Sequence, residues 1–553
     1  MTITLSSHSS QQVKGLGWWN VYFIAKFALY LQGTIDFHPL ENIALALFLL
    51  LPLRSRLLAA IKIVIAVPAA AWLLHYDSFL PPLDRLWAQM NQLMHFEWGY
   101  LFELAGRFFS FQALLGLFAV GIGYYLLNRF LRVSVLVMAA MLFFSLPSGQ
   151  ITPVIADQGT VENNTPITRP AGNANTNANA NANAANVPAG TDDASLNQYV
   201  TEFFSRESKR QVLLDDNAVN AAPFDLLFLS ICSVAWDDIN IAGLDDHPLF
   251  KEFDILFDQF NAATSYSGPA VIRLLRASCG QESHSQLFAG APSEQCYLFE
   301  NLKQLGFEEN LVMNHDGIFD NFLELIKTEG NVVADLMPQT GFSPYQKSFD
   351  GAPIYRDKDV LNHWWQQRQQ AGSDKVVALY NTISLHDGNR IIHGNQSTGL
   401  VSYKLRLKNL LDDLYAFFQS LEQSGRNIVV VLVPEHGAGM KGDRMQITGM
   451  REIPSPSIVH TPVGLRVFGK NIVRTGETAR VASPSSYLAL SQLIANVLEQ
   501  NPYLSGSVDP ASLISNLPVT PVVAQNEGST VIRVQGKNYV TLDGSSWSEY
   551  PSK

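Results

Sequence analysis

The sequence predicts an N-terminal helical membrane bundle followed by an α/β domain with a mainly parallel central sheet flanked by helices. Three observations carry this. The stretch up to Pro147 is dominated by long apolar runs. A polar low-complexity tract follows it. Beyond that tract, short runs of β-branched and aliphatic residues alternate with helix-period segments, which is the pattern of parallel strands joined by crossover helices. At 553 residues the chain is too long for one ordinary core, and it divides by composition into residues 1–148, 149–200 and 201–553. The formal net charge of −11 and the lack of a basic stripe with interleaved aromatics argue against a nucleic-acid partner.

The apolar region reads as about five spans, near Trp18–Gln32, Leu40–Leu53, Leu57–His75, Phe111–Leu127 and Val133–Leu146. The first has no small-residue cleavage site and more spans follow it, so it does not read as a cleaved signal. Lys14, the pair Arg54 and Arg56, and the pair Arg129 and Arg132 all fall inside the cell if the N-terminus is cytoplasmic. Arg85 and Arg107 then fall outside, against the rule, and everything after Pro147 lies outside the cytoplasm. Residues 149–200 contain the run Asn173-Ala174-Asn175-Thr176-Asn177-Ala178-Asn179-Ala180, which cannot bury a core and predicts a flexible tether.

In the third part, strands are expected at Asp225–Ile231, Asn310–Asn314, Val376–Asn381, Asn427–Val433 and Gly464–Phe468. Helices are expected at Val271–Ala277, Phe319–Lys327, Tyr403–Gln423 and Ser486–Leu498. The tail Val531–Ser546 reads as a hairpin about Gln535-Gly536-Lys537 that adds a sheet edge.

Ligands of open α/β sheets sit beyond the carboxyl ends of the strands. Three strand ends here carry reactive side chains. The run Ile428–Val433 leads through Pro434 into Glu435-His436-Gly437, and both Glu435 and His436 are good ligands for a divalent metal. Asp225–Ile231 ends at Cys232, which reads as a metal thiolate, a nucleophile or a small core residue. The strand from Val376 runs into Leu385-His386-Asp387-Gly388-Asn389, where His386 is a candidate general acid. Pro269 marks a helix start, and Ser267 stands where an N-cap belongs. Its oxygen is either a cap or a nucleophile beside an anion-binding helix end, with Ser265 and Thr264 as alternatives. Lys441, Arg444 and Arg451 are candidate phosphate contacts, and His315 and His460 candidate ligands of a second metal. Cys279 and Cys296 can pair as a disulfide, stabilising by about 3 kcal/mol, or can bind metal; the disulfide is the favoured reading outside the cytoplasm.

With Cys232, Thr264-Ser265-Tyr266-Ser267-Gly268-Pro269, Leu385–Asn389 and Pro434–Gly437 behind an apolar region and a tether, the chain resembles the cellulose phosphoethanolamine transferases of bacterial cellulose secretion systems. Arg273–Gly280, Lys441–Gln446 and Ile453–Ser457 extend the resemblance, which covers nearly the whole chain. It implies an alkaline-phosphatase/sulfatase-like domain in the periplasm, carried by a multi-pass inner-membrane anchor. It implies zinc-dependent transfer of phosphoethanolamine from phosphatidylethanolamine to the glucose 6-hydroxyl of cellulose, beside membrane subunits of the cellulose synthase complex. It also implies roles: Ser267 as nucleophile, Cys232, Glu435 and His436 as zinc ligands with Ser267 at the same metal, Tyr266, His386 and Arg451 as supporting residues, and Cys279–Cys296 as a disulfide. Transferases acting on lipid A usually have Glu at the position of Cys232, Thr as nucleophile and Asp before the metal-binding His, and this chain departs at all three. Rival readings are a transferase for another glycan, a sulfatase-like hydrolase (no Cys-x-Pro-x-Arg or Ser-x-Pro-x-Arg motif is present), and a membrane scaffold of the synthase complex.

Overall fold

The computed structural model describes residues 15–32, 35–53, 55–78, 96–108, 111–145, 190–214, 222–394 and 397–551. Lys14, Arg54, Arg85, Leu146 and the Asn/Ala-rich tract lie outside the described residues. Contacts divide the chain into two units, Met1–Ala88 with Ala105–Asn181, and Gln89–Leu104 with Ala182–Lys553.

The first unit is helical, with helices at Trp19–Leu31, Pro39–Leu50, Arg56–Asp77, Phe111–Leu127 and Val133–Phe144. Each expected span therefore coincides with a helix. Among the described residues, only Arg56–Asp77 is long and apolar enough to cross a membrane, with 22 residues and a mean hydropathy of 2.3. The other four are shorter, at 13, 12, 17 and 12 residues. Lys26 is buried in this unit as an ion pair with Asp77, and its ammonium donates to Asn42 Oδ1 at 2.7 Å. His38 Nδ1 lies 2.8 Å from Asp77 Oδ1, so this buried charge is fully partnered.

The second unit is built on a seven-stranded sheet: β1 Asp225–Ile231, β2 Ile255–Asn261, β3 Glu308–Met313, β4 Val376–Thr382, β5 Ile428–Pro434, β6 His460–Phe468 and β7 Ala479–Val481. Their spatial order is β7-β2-β6-β5-β1-β4-β3, and only β6 runs against the rest. This is the α/β class expected, with a mainly parallel sheet. All seven residues of β1, β4 and β5 are buried. Leu226 and Phe228 join one apolar core with Val429 and Val431, while Leu227 and Leu229 join the opposite core with Val430 and Leu432. A strand covered on both faces gains nothing from polar alternation, which is why these runs are continuously apolar.

β2 and β7 were not anticipated. Asp258 and Gln259 interrupt the apolar run of β2, which also carries a register shift between Phe257 and Phe260. The tail does form the expected hairpin, Ser529–Val534 with Lys537–Thr541, turning at Gln535 and Gly536, both with positive φ. It does not edge the central sheet, however. It belongs to a separate four-stranded antiparallel sheet with Val523–Asn526 and Ser548–Glu549. The helix Asp193–Glu207 occupies residues that composition assigns to the end of the tether.

At the amino end of β1 the buried Asp225 carboxylate accepts from Arg368 Nε and Nη2 at 3.1 and 2.8 Å, from Arg426 Nε at 2.8 Å, and from the Val376 amide at 2.9 Å. It thereby ties β1 to the start of β4 and to the helix Asp357–Gln370. The Asp225 and Arg368 side chains are each 1% exposed, so removing one strands the other in a poorly solvating interior. Arg368→Ala is expected to lower the unfolding free energy by about 3 kcal/mol, read as a shift in the urea midpoint at unchanged m-value.

Candidate metal centre and nucleophile

The registers of β1, β4 and β5 place three strand ends side by side. Ile231 is opposite both Thr382 and Pro434. The Cys232 amide donates to Thr382 O at 3.0 Å and the Glu435 amide to Ile231 O at 2.9 Å, extending the ladder one step past the sheet. Ser233 then turns the chain away at a φ of 66°. Cys232, Glu435 and His436 are all buried, and their ligating atoms lie within 4.8 Å of one another.

Each group is prepared differently. Glu435 Oε1 accepts from Ser230 Oγ at 2.9 Å and from Asn381 Nδ2 at 2.5 Å, while Oε2 is buried with no hydrogen-bond partner. Burial pushes this carboxyl above its usual range. His436 Nδ1–H donates to Gly437 O at 2.8 Å, leaving the Nε2 lone pair 3.2 Å from Ser267 Oγ and 3.9 Å from Cys232 Sγ. Burial first, and the Arg451 charge second, hold this imidazole neutral. Burial and the Glu435 charge push the Cys232 thiol up. A thiol, a neutral imidazole and a half-satisfied carboxylate form a sulfur, nitrogen and oxygen set suited to zinc with a fourth position open. The bare Glu435 oxygen is the observation that favours a cation here, because an unpaired buried carboxylate oxygen is costly.

Ser267 is the first residue of the helix Ser267–Leu275, and the N-cap is Tyr266. The expectation of Ser267 as a cap is therefore corrected. One position into the helix, its hydroxyl is released from capping and lies 3.4 Å from Cys232 Sγ. The alternatives are committed elsewhere: Thr264 Oγ1 donates to Asn526 Oδ1 at 2.9 Å, and Ser265 Oγ contacts the Arg451 carbonyl and accepts from Asn526 Nδ2 at 2.6 Å. Arg451 Nη1 donates to Ser233 Oγ at 3.2 Å and rests 3.2 Å from both ring nitrogens of His436. Tyr266 Oη donates to Glu452 Oε1 at 2.7 Å, which ties the helix start to the same loop.

His386 follows β4. Its Nδ1–H donates to Asp387 O at 2.9 Å, and its ring stacks on Phe349 with centroids 4.4 Å apart. Burial, then the Arg451 charge, push its pKa down to about 4. The ring is therefore neutral near pH 7, and it accepts a proton before it can give one. Arg406 Nη1 holds this turn through Ser384 O at 2.8 Å and His386 O at 3.0 Å.

Four candidates do not join the cluster. Lys441 and Arg444 are exposed, Lys441 lying 3.9 Å from Asp237. His315 uses both nitrogens, Nε2–H toward Asn381 Oδ1 at 2.8 Å and Nδ1 from the Gly317 amide at 3.1 Å. His460 begins β6 and donates to Asp258 O. Cys279 and Cys296 are joined as a disulfide, leaving Cys232 as the free cysteine. Asn381, Asp238 and Asn526 were missed. Asn381 bridges Glu435 to His315. Asp238 accepts from the Ala235 and Ala438 amides at 3.0 and 2.7 Å, clamping the loop that carries His436. Gly437 permits that approach, since a Cβ there would lie 2.6 Å from the Ala235 side chain.

Fold and site together define an α/β protein with a buried Cys/Glu/His cluster that could hold a metal and a serine hydroxyl beside it. The chain belongs to the cellulose biosynthesis protein BcsG family: the BcsG C-terminal domain matches residues 179–547 and the BcsG N-terminal domain residues 19–146. It is 40% identical over 562 residues to the cellulose biosynthesis protein BcsG of Salmonella typhimurium, covering 100% of this chain and 99% of that one. It is also 40% identical over 556 residues to that of Escherichia coli, covering 98% and 97%. Solved structures are more remote. An alkaline phosphatase superfamily protein from Vibrio parahaemolyticus has a TM-score of 0.44 at 13% identity, covering 64% of this chain and 87% of that one. The C-terminal periplasmic domain of EcEptC from Escherichia coli has a TM-score of 0.41 at 13% identity, covering 62% and 96%. Scores this low carry no functional weight.

Asn381→Ala removes the donor that orients Glu435 while leaving Cys232, Glu435 and His436 in place. Zinc affinity, measured by titration against a competing chelator, is expected to fall about 10- to 100-fold, as for other partners that orient a metal ligand.

Proposed function

We propose that this protein is a zinc-dependent phosphoethanolamine transferase of the bacterial envelope, acting on cellulose. In this reading the N-terminal helices anchor it in the inner membrane as a multi-pass segment with a cytoplasmic N-terminus. Residues 201–553 work in the periplasm beside membrane subunits of the cellulose synthase complex. The observation that carries the reading is the position of Ser267, whose Oγ lies 3.2 Å from His436 Nε2 and 3.4 Å from Cys232 Sγ, beside the bare Oε2 of Glu435. Membership of the BcsG family supports cellulose as the acceptor, and the apolar helices support a lipid donor.

The chemistry is a double displacement. Ser267 Oγ forms a bond to the phosphorus of phosphatidylethanolamine, and the bond from phosphorus to the diacylglycerol oxygen breaks. The serine proton ends on that leaving oxygen. A glucose 6-hydroxyl then forms its bond to phosphorus as the Ser267 ester breaks. Its proton passes to the serine oxygen through His386, whose neutral ring is ready to accept it. Cys232, Glu435 and His436 would hold the zinc, which when bound would supply Lewis-acid stabilisation of negative charge beside Ser267. Burial, and Arg451 after it, keep His436 neutral, and Arg451 adds positive charge where phosphate oxygens gather. The helix opening at Ser267 turns its first N–H groups toward the same place.

The test uses the full chain in phosphatidylethanolamine vesicles with a soluble cello-oligosaccharide. Ser267→Ala is expected to lower both diacylglycerol release and transfer at least about 1000-fold, and mass spectrometry should find no phosphoethanolamine adduct on the variant. Chelation should stop the wild type, and added zinc should restore it. Transfer that persisted in Ser267→Ala would remove the serine from the mechanism, and transfer to other glycans but not to cello-oligosaccharide would remove cellulose as the acceptor.

A further inference from the structure

The wall of the site that carries His386 is not completed by the C-terminal part of the chain. A segment lying between two apolar helices in sequence packs against it, and residues Gln89–Leu104 belong to the same compact unit as residues from Ala182 onward. The helix Trp98–Phe108 starts in this segment. Tyr100 is buried, and its hydroxyl donates to Asp387 Oδ2 at 3.0 Å. Asp387 is the residue whose carbonyl accepts from His386 Nδ1–H. Tyr100 also packs on Phe349, at 5.9 Å between centroids, and Phe349 is the ring that stacks on His386. Gly388 has a φ of 81°, and a Cβ there would lie 2.6 Å from the Tyr100 ring and 2.8 Å from Phe349. The backbone after His386 is thus pressed directly against Tyr100.

Three further ties hold the segment in place. The Glu97 amide donates to Phe349 O at 3.0 Å. Glu97 pairs with Lys347 on the same turn. Glu103 accepts from Arg390 Nη2 at 2.9 Å and from the Gly399 amide at 3.3 Å, on the far side of the His386 loop. The segment therefore grips the loop before and after Gly388 and the turn that carries Phe349.

We propose that Tyr100 is a positioning residue for His386, holding the imidazole toward the open side of the metal centre through Asp387 and Phe349. Residues 96–104 are then a working part of the active site supplied by the otherwise apolar N-terminal region. The proposal rests on the reading of His386 as the proton carrier. Its logic is geometric: Asp387 and Phe349 are the two direct neighbours that fix the ring's tilt and the tautomer, and Tyr100 touches both.

The experiment uses the full chain in phosphatidylethanolamine vesicles with a cello-oligosaccharide acceptor. Tyr100→Phe keeps the ring against Phe349 and Gly388 and removes only the hydroxyl. It is expected to lower kcat for transfer about 10-fold, the order expected of one lost hydrogen bond that orients a reacting group. KM for donor and acceptor, zinc content and the unfolding midpoint should be unchanged. In a His386→Gln background the same substitution should cost nothing further. Hydrogen exchange of the peptide Ile383–Asn389 should be about 10-fold faster in the Tyr100→Phe single variant. Wild-type exchange in this peptide, or a kcat loss that repeats in full on the His386→Gln background, overturns the proposal. If His386→Gln itself transfers at the wild-type rate, the proton-carrier reading fails. Exchange then decides alone whether Tyr100 fixes the loop.

Discussion

A buried carboxylate with one oxygen satisfied and the other bare sets the terms for everything around it. Glu435 sits one residue past a strand sealed on both faces, where water cannot solvate it. Ser230 on β1 and Asn381 on β4, the next two strands along the sheet, hold Oε1 and so fix a carboxylate whose ligating oxygen lies within 4.8 Å of the ligating atoms of Cys232 and His436. Such an arrangement survives only inside a scaffold too rigid to relax it away. The sheet provides that rigidity. Its two apolar faces pin β1, β4 and β5 in register, and the Asp225 ion pairs fix β1 at its opposite end. The electrostatic tension of the site and the plain hydrophobicity of the strands are two sides of one design.

That division explains what could be read directly from the residues. Continuous apolar runs announce strands with two covered faces, and β1, β4 and β5 were recognisable almost to the residue. β2 was not, because Asp258 and Gln259 break its run and its partner β6 approaches from the opposite direction. Cys232, Glu435 and His436 were legible because each ends a strong strand, so topology alone brings them together. Asn381 carried the same signal, a polar residue at the end of an apolar strand, but an amide suggests no chemistry by itself. Its role appears only when His315 and Glu435 are seen on either side of it.

The remaining site residues come from distant sequence with no local mark. Asp238 looks like an ordinary first-turn acid of a short helix, yet its carboxylate fastens the loop after His436. Helix periodicity correctly placed a helix after Pro269 but not its cap, since Tyr266 has no capping side chain and Ser267 would serve equally well on paper. The shift of one position matters chemically, because a capping serine would spend its oxygen on the helix backbone rather than face Cys232 and His436. The apolar N-terminal region illustrates the converse. Its hydropathy advertises an anchor, and that signal conceals Tyr100, which packs against the His386 loop.

Asn526 has a consequence for biosynthesis. It holds Thr264, Ser265 and the Arg451 and Glu452 carbonyls together, and it lies in the small sheet formed by the tail. The loop before Ser267 and the loop bearing Arg451 are joined through this late residue. A nascent chain that already contains Cys232, Ser267, Glu435 and His436 still lacks this tie, which adds to the Tyr266–Glu452 and Ser265–Arg451 contacts between those two loops. A polypeptide ended before Asn526 therefore has the reactive groups without this tie between the loops that flank them.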